Sequence, residues 1–373
     1  MKRALLFLPL LISFAFAQRV PTIDDLLNVK SAGGAQISPD GNRVAYTVTE
    51  TDWKQDAYVT HIWIADVKTG RLAQLTRGEK STGNVQWSPD GEWLTFTSDR
   101  VGGKNQIFAI HPDGGESMQL TKAENGVGGY VWSEDGKQIA YSSSDADAIA
   151  AKERTDYLGG FEVVRKEYNF NHIWTFAVAE ALKEPVTGTQ RTKGKDYTVG
   201  GASWSPDGTR IAFSATINSD LINGGTSDIY LLALADNSVK KIVSLAGPDN
   251  NPRWSPDGKQ IVFSTAMGNP KYFHANSKLA IVDANGGTPV SITDDFDEQP
   301  GLIEWNAEGV YFQALNKTAS RLYCVKIYPN NTPKPTTAIT SFAWPKDLMA
   351  GGFSFTRDGK RVAYSAPSRK SLS

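Results

Sequence analysis

One polarity pattern recurs along the chain: an apolar residue, a short polar phrase ending in Gly, and then a run dominated by β-branched and aromatic side chains. The phrases are Ile37-Ser-Pro-Asp-Gly41, Trp87-Ser-Pro-Asp-Gly91, Trp132-Ser-Glu-Asp-Gly136, Trp204-Ser-Pro-Asp-Gly208, Trp254-Ser-Pro-Asp-Gly258, Trp305-Asn-Ala-Glu-Gly309 and Phe355-Thr-Arg-Asp-Gly359. Pro presets φ, Asp bonds its own backbone and Gly supplies positive φ, so each phrase predicts a hairpin turn. The runs that follow, such as 43–48, 93–97, 138–142, 210–214 and 260–264, read as strands. A second hairpin follows in most units: 61–66 to 75–76, 106–110 to 120–121, 172–176 onward, 228–232 onward, 278–282 to 292–293, and 321–325 to 339–340.

The hairpin glycines are spaced by 50, 45, 72, 50, 51 and 50 residues. Two hairpins per period predict a four-stranded unit, the blade of a β-propeller. The long interval predicts an insertion at about 145–171 in the third unit. The expected fold is all-β: a seven-bladed β-propeller over 35–373 with four-stranded blades. Its last blade is incomplete, because only 365–373 follow the seventh hairpin. Helical periodicity is confined to about 149–154 and 23–29, which excludes an α/β reading. Five tryptophans, Trp87, Trp132, Trp204, Trp254 and Trp305, share one repeat position. They read as fillers between neighbouring blades in preference to a ligand-stacking platform.

The start of the chain has another character. Met1-Lys2-Arg3, the apolar run 4–14 and Ala15-Phe16-Ala17 predict a secretory signal peptide over 1–17, followed by a lead-in segment 18–34. The run is shorter than the roughly 20 residues of a membrane span, so an exported protein, periplasmic or extracellular, is expected with no membrane association after cleavage. Lys+Arg 39 against Asp+Glu 40 give a net charge of -1 over 373 residues, and with it no electrostatic reason to expect nucleic acid. The single cysteine, Cys324, excludes an internal disulfide and reads as a small buried residue. Asp294-Asp-Phe-Asp-Glu298 lacks the spacing of a calcium loop and reads as a solvated connection. No metal and no cofactor is expected.

The Trp-Ser-Pro-Asp-Gly phrase with its following strand resembles the repeat shared by Tol-system propellers and by serine peptidases of the prolyl oligopeptidase family. Thr22-Ile-Asp-Asp-Leu-Leu27 leading into Ala35 to Gly41, and the insertion Ala150 to Tyr157 through Gly160-Phe-Glu-Val-Val164 to Tyr168 and His172-Ile-Trp174, are similar to the acylaminoacyl and dipeptidyl peptidase branch. The resemblance implies a propeller that filters short peptides over a catalytic α/β-hydrolase domain. It implies Glu162 as an anchor for a substrate ammonium, with Arg165 and Tyr168 beside it. The alternative is an insertion that only packs on the propeller with its charges solvated. No catalytic residue is expected. The Gly-x-Ser-x-Gly elbow of such hydrolases is absent from the sequence, and His61 and His172 hold one repeat position and read as scaffold. The sequence is therefore expected to be a propeller portion inactive by itself, truncated before the hydrolase domain. It is also expected to be aggregation-prone, because half a blade would leave the flank of blade one in water. The alternative function is a stand-alone periplasmic propeller that scaffolds protein partners.

Overall fold

The computed structural model describes residues 20–146, 156–159, 168–317, 319–328, 336–342 and 350–366. Among them are six four-stranded antiparallel sheets, each a simple meander, and one two-stranded sheet. Blade one comprises Ser31–Ile37, Arg43–Asp52, Ala57–Asp66 and Leu72–Gln74. Blades two to six begin with Gly83–Trp87, Tyr130–Trp132, Thr198–Trp204, Asp249–Trp254 and Gly301–Asn306. The four-strand unit stands as the sequence pattern predicts. The blade count is corrected: among the described residues there are six four-stranded blades, and the seventh unit is the pair Gly351–Phe355 and Val362–Ser365.

Six of the seven polar phrases build the expected turn by one set of bonds, and in the other, Trp305 to Gly309, Asn306 Oδ1 accepts the Glu308 N–H at 3.0 Å. In blade four, the Ser205 hydroxyl donates to Asp207 Oδ1 at 2.6 Å and accepts from the Arg210 backbone N–H at 2.9 Å, while Asp207 Oδ1 accepts the Thr209 N–H at 3.0 Å. The same lock recurs at Ser38/Asp40, Ser88/Asp90, Ser133/Asp135, Ser255/Asp257 and Thr356/Asp358. Gly208 closes the reversal at φ 68°, where a Cβ is disfavoured. The fourth strands differ from expectation. The Leu-Thr pairs predicted as strand lie just beyond the strands Leu72–Gln74, Met118–Gln119 and Val290–Ser291. There the hydroxyls of Thr76, Thr121 and Thr293 accept the backbone N–H of Ile62, Ile107 and Leu279 at 2.8–2.9 Å. A side-chain oxygen thus continues the ladder after the fourth strand has turned away.

Each pair of neighbouring units shares an apolar cluster. Phe96, Phe213, Phe263 and Phe312, at one position of the second strand, are fully buried. The tryptophans fill the seams between blades and use their polar atom there. Trp87, Trp204 and Trp254 donate Nε1–H to the carbonyls of Gln36, Val131 and Ser203 in the preceding blade, and Trp132 donates to Thr95 Oγ1. The seventh hairpin packs on blade six through Phe353 against Tyr311, Leu322 and Cys324. It also covers the flank of blade one, where Ala35 and Ile37 are buried with Ala363. The expectation that this flank meets water is corrected: the seventh hairpin covers it.

The helix expected at 23–29 forms as α1 (Ile23–Leu27), started by a Thr22 capping box with Asp25. The helix expected at 149–154 and the signal peptide lie outside the described residues. No helix among the described residues is long and apolar enough to cross a membrane.

Candidate functional site

The seven polar-phrase turns join the first strand of each unit to the second, so they gather at one end of the propeller. The connections from second to third strand lie at the other end because the strands alternate in direction. At the turn end, the repeat position that is usually Pro carries Arg357 in the seventh hairpin. Its backbone N–H donates to the Pro39 carbonyl at 3.4 Å, and its guanidinium donates to the carbonyls of Pro89 at 3.2 Å and Glu134 at 3.4 Å. One side chain thus links the seventh hairpin with blades two and three at that end.

Above it is a cavity of about 520 Å³, lined by the first strands of blades two to five and by residues of blade three's second and third strands. The first strands owe their shape to a recurring irregularity. Their pairing slips between Gly33 and Gln36, Gly83 and Gln86, Val199 and Ala202, Asn250 and Arg253, and Gly351 and Ser354. Such bulges re-aim side chains. Asn84 and Asn251 take φ 49° and 56° there and border the cavity. Blades three and four place bare backbone against it, at Gly128-Gly129 and Gly200-Gly201.

Arg253 is the charged group of this lining. Its Nε donates to the Ile303 carbonyl at 3.3 Å and its Nη1 to the Pro252 carbonyl at 2.9 Å. Nη2 has no hydrogen-bond partner among the described residues and is not sealed from solvent. Burial disfavours the charge on Arg253, and neighbouring Glu304 opposes that effect. Burial also pushes the Glu304 carboxyl up, against the Asn306 amide bonded to it at 2.7 Å and the positive charge of Arg253. Sequence reading missed this site. The available signal was a Gly or Asn seven residues before the turn glycine: Gly34, Asn84, Gly129, Gly201, Asn251 and Gly352.

Glu162 and Arg165 lie outside the described residues. Tyr168 donates its hydroxyl to Asp220 Oδ2 at 3.2 Å, and Asp220 also accepts the Ile222 N–H at the start of the 3₁₀ turn Leu221–Thr226. Tyr168 therefore joins the insertion to the neighbouring blade's loop.

The histidines do not converge. His61 and His172 are buried in the third strands of blades one and three, as scaffold positions would be. His172 Nε2 lies 3.3 Å from Asp145 Oδ1, without hydrogen-bond alignment, and its Nδ1 lies 3.4 Å from Thr192 Oγ1. Thr192 Oγ1 already accepts the Ile173 N–H at 2.9 Å, so the hydroxyl serves the strand. Burial lowers the pKa of His61. Cys324 is buried, and that burial pushes its thiol up, away from nucleophilic character. The acidic stretch 294–298 is anchored from within: Phe296 packs on Phe312 and Tyr323 at 5.0 Å, and Lys278 Nζ donates to the carbonyls of Thr293, Asp294 and Phe296.

Residues 24–167 match the family described as the TolB β-propeller domain, PD40. The propeller is similar to an uncharacterized peptidase, YuxL, of Bacillus subtilis, 38% identical over 100 residues that make up 27% of this chain and 15% of the relative. In fold it is similar to Pyrococcus horikoshii acylaminoacyl peptidase, with a TM-score of 0.66 at 18% identity over 91% of this chain and 50% of that one. It is also similar to the β-propeller domain of the Trilobed protease from Pyrococcus furiosus, with a TM-score of 0.60 at 18% identity over 91% of this chain and 92% of that one. The chain thus spans about half the length of the acylaminoacyl peptidase and a smaller share of the Bacillus relative.

Proposed function

We propose that this propeller is the non-catalytic, substrate-gating part of an exported serine peptidase acting on short peptides. The nucleophile would come from a hydrolase domain that these residues do not include. The observation that carries the reading is the unlike character of the two ends. The turn end is built of the polar phrases, and its exposed large apolar side chains include Val67 and Leu72, both about half exposed, among the described residues. The loop end carries exposed large apolar side chains: Trp53, Tyr157 and Leu158, Leu221 and Ile222 (95% and 66% exposed), and Phe273 (80%). α1 adds Ile23 and Leu26, and Trp53 Nε1 holds that segment to blade one through Asn28 Oδ1 at 2.8 Å. Such a surface suits a protein domain seated over the loop end, and the kinship with peptidase propellers names the kind of domain.

The PD40 match gives a specific reason for a second reading, a propeller that scaffolds protein partners without a hydrolase. Both readings meet one test. Source cells are labelled with a fluorophosphonate probe, and material recovered with an antibody against this propeller is resolved on a denaturing gel. A labelled serine hydrolase in the same polypeptide or complex supports the gating reading. Recovery of the propeller without any labelled band sinks it. The chain by itself should neither take the label nor turn over peptides.

A further inference from the structure

The axial cavity has the features of a small ligand site that the reading above does not use. It is roomy enough for a short peptide end at about 520 Å³. The first strands of four blades contribute to its wall. One guanidinium faces it: Arg253 is held by two carbonyls through Nε and Nη1, and Nη2 remains accessible. The neighbouring carboxyl, Glu304, is occupied by the Asn306 amide at 2.7 Å. Asn84 and Asn171 bring neutral amides to the same wall.

We propose that this cavity binds a carboxylate, the free C-terminal end of a short peptide, with Arg253 as its charged contact. A fixed guanidinium with an N–H to spare in a partly desolvated pocket is complementary to an oxyanion, and the carboxylate is the oxyanion that a peptide brings. Backbone walls at the glycine pairs leave the room that a peptide end needs. At Gly128 and Gly200 an added Cβ would stand 2.6 and 2.9 Å from the hydroxyls of Ser142 and Ser214, whereas at Gly129 it would meet nothing within 4 Å and at Gly201 only Ser214 Oγ at 4.0 Å. Those two positions point into the open space. The peptide as the carboxylate's source rests on the gating reading; recognition of the carboxylate does not.

The test is calorimetric titration of the full chain with Gly-Gly-Phe, with its C-terminal amide and with acetate. The free acid should bind at least about tenfold more tightly than the amide, as loss of one charge-assisted contact implies. Arg253→Gln should bring the acid to the level of the amide. Arg253 also bonds its own surroundings, so Gly201→Val provides an independent arm: it fills the cavity from a strand position that accepts a β-branched residue and should abolish peptide binding while the melting curve is retained. Equal binding of acid and amide, unchanged binding in Gly201→Val, or no binding of any probe to the folded chain would overturn the proposal. Acetate binding that Arg253→Gln removes, without peptide binding, keeps the carboxylate site and eliminates the peptide as its source. That result is independent of the fluorophosphonate experiment on which the gating reading stands.

Discussion

The seam between blades four and five and the seam between the seventh hairpin and blade one close the same ring with different materials. At the first, Ala212, Ile229, Trp254, Ile261, Phe263 and Ala280 are sealed together. At the second only Ala35, Ile37 and Ala363 are buried. Hydrogen bonds carry the remainder: Ser354 Oγ accepts the Ile37 N–H at 2.8 Å, Arg361 donates to the Gly41 carbonyl at 3.0 Å, and Arg357 bridges to blades two and three. Buried apolar area stabilises in proportion to its extent, whereas a hydrogen bond exchanged with water is worth about 1 kcal/mol net. The ring should therefore open first where the seventh hairpin meets blade one.

The largest test of that contrast is a pair of core truncations. Phe263→Ala should cost about 3–5 kcal/mol and Ile37→Ala about 2 kcal/mol, read from urea unfolding. Equal losses would break the comparison.

The strong seam holds a pH-sensitive group of its own. Asp249 starts the first strand of blade five, donates its N–H to the Ser227 carbonyl at 2.7 Å and is completely buried. Burial pushes its carboxyl up to about 6, over the opposing bonds from Thr265 and the Leu245 N–H. The folded chain then holds a proton that the unfolded chain releases near pH 4, so stability falls as pH rises from about 4 to 6. Asp249→Asn should remove that slope and gain on the order of 1–2 kcal/mol at pH 7. Melts at pH 4.5 and 7 that run parallel for both proteins would clear Asp249 of the effect.

At the weak seam, Arg357→Ala and Arg361→Ala should each cost about 1 kcal/mol. Hydrogen exchange should quicken at 351–355 and stay unchanged at 260–265. Uniform quickening would mean that the ring opens as one unit, contrary to the contrast drawn here.

The smallest effect concerns the turns that both seams share. Asp207 is held below its ordinary pKa by the Ser205 hydroxyl first, with the Thr209 N–H and hydroxyl adding, over the raising effect of burial. A depressed carboxyl stabilises above about pH 4, and that contribution disappears as pH falls through its folded value. Ser205→Ala should cost about 0.5–1 kcal/mol, the net worth of the bonds its hydroxyl makes, and should flatten the acid limb of stability below about pH 4. An acid limb identical to that of the unaltered chain would remove Asp207 as a contributor.

Much of the blade was legible in the residues. The turn phrase is local chemistry: a hydroxyl, a carboxylate and a glycine at fixed spacing close the hairpin wherever they occur, so their period revealed the unit before any packing was known. The tryptophans were legible as seam fillers, since a large indole at one repeat position must meet the same neighbour each time. The fourth strands were misplaced by a few residues because Thr76, Thr121 and Thr293 mimic a ladder with their hydroxyls, and a sequence pattern does not distinguish that from a strand. Arg253 and Arg357 carry no local signal, because nothing beside them in the chain indicates the axis. The glycine and asparagine positions before each turn were periodic, yet their meaning depends on which strand faces the centre.

The sequence by itself determined the four-stranded blade, its turns and its apolar seams, because these arise from contacts within one period or between adjacent periods. Tertiary structure alone decided that the seventh hairpin covers the flank of blade one, that Arg357 bridges to blades two and three and that Arg253 lines a cavity. Those facts depend on closing the ring, which brings residue 361 to residue 41 and the first strands of blades two to five around one space.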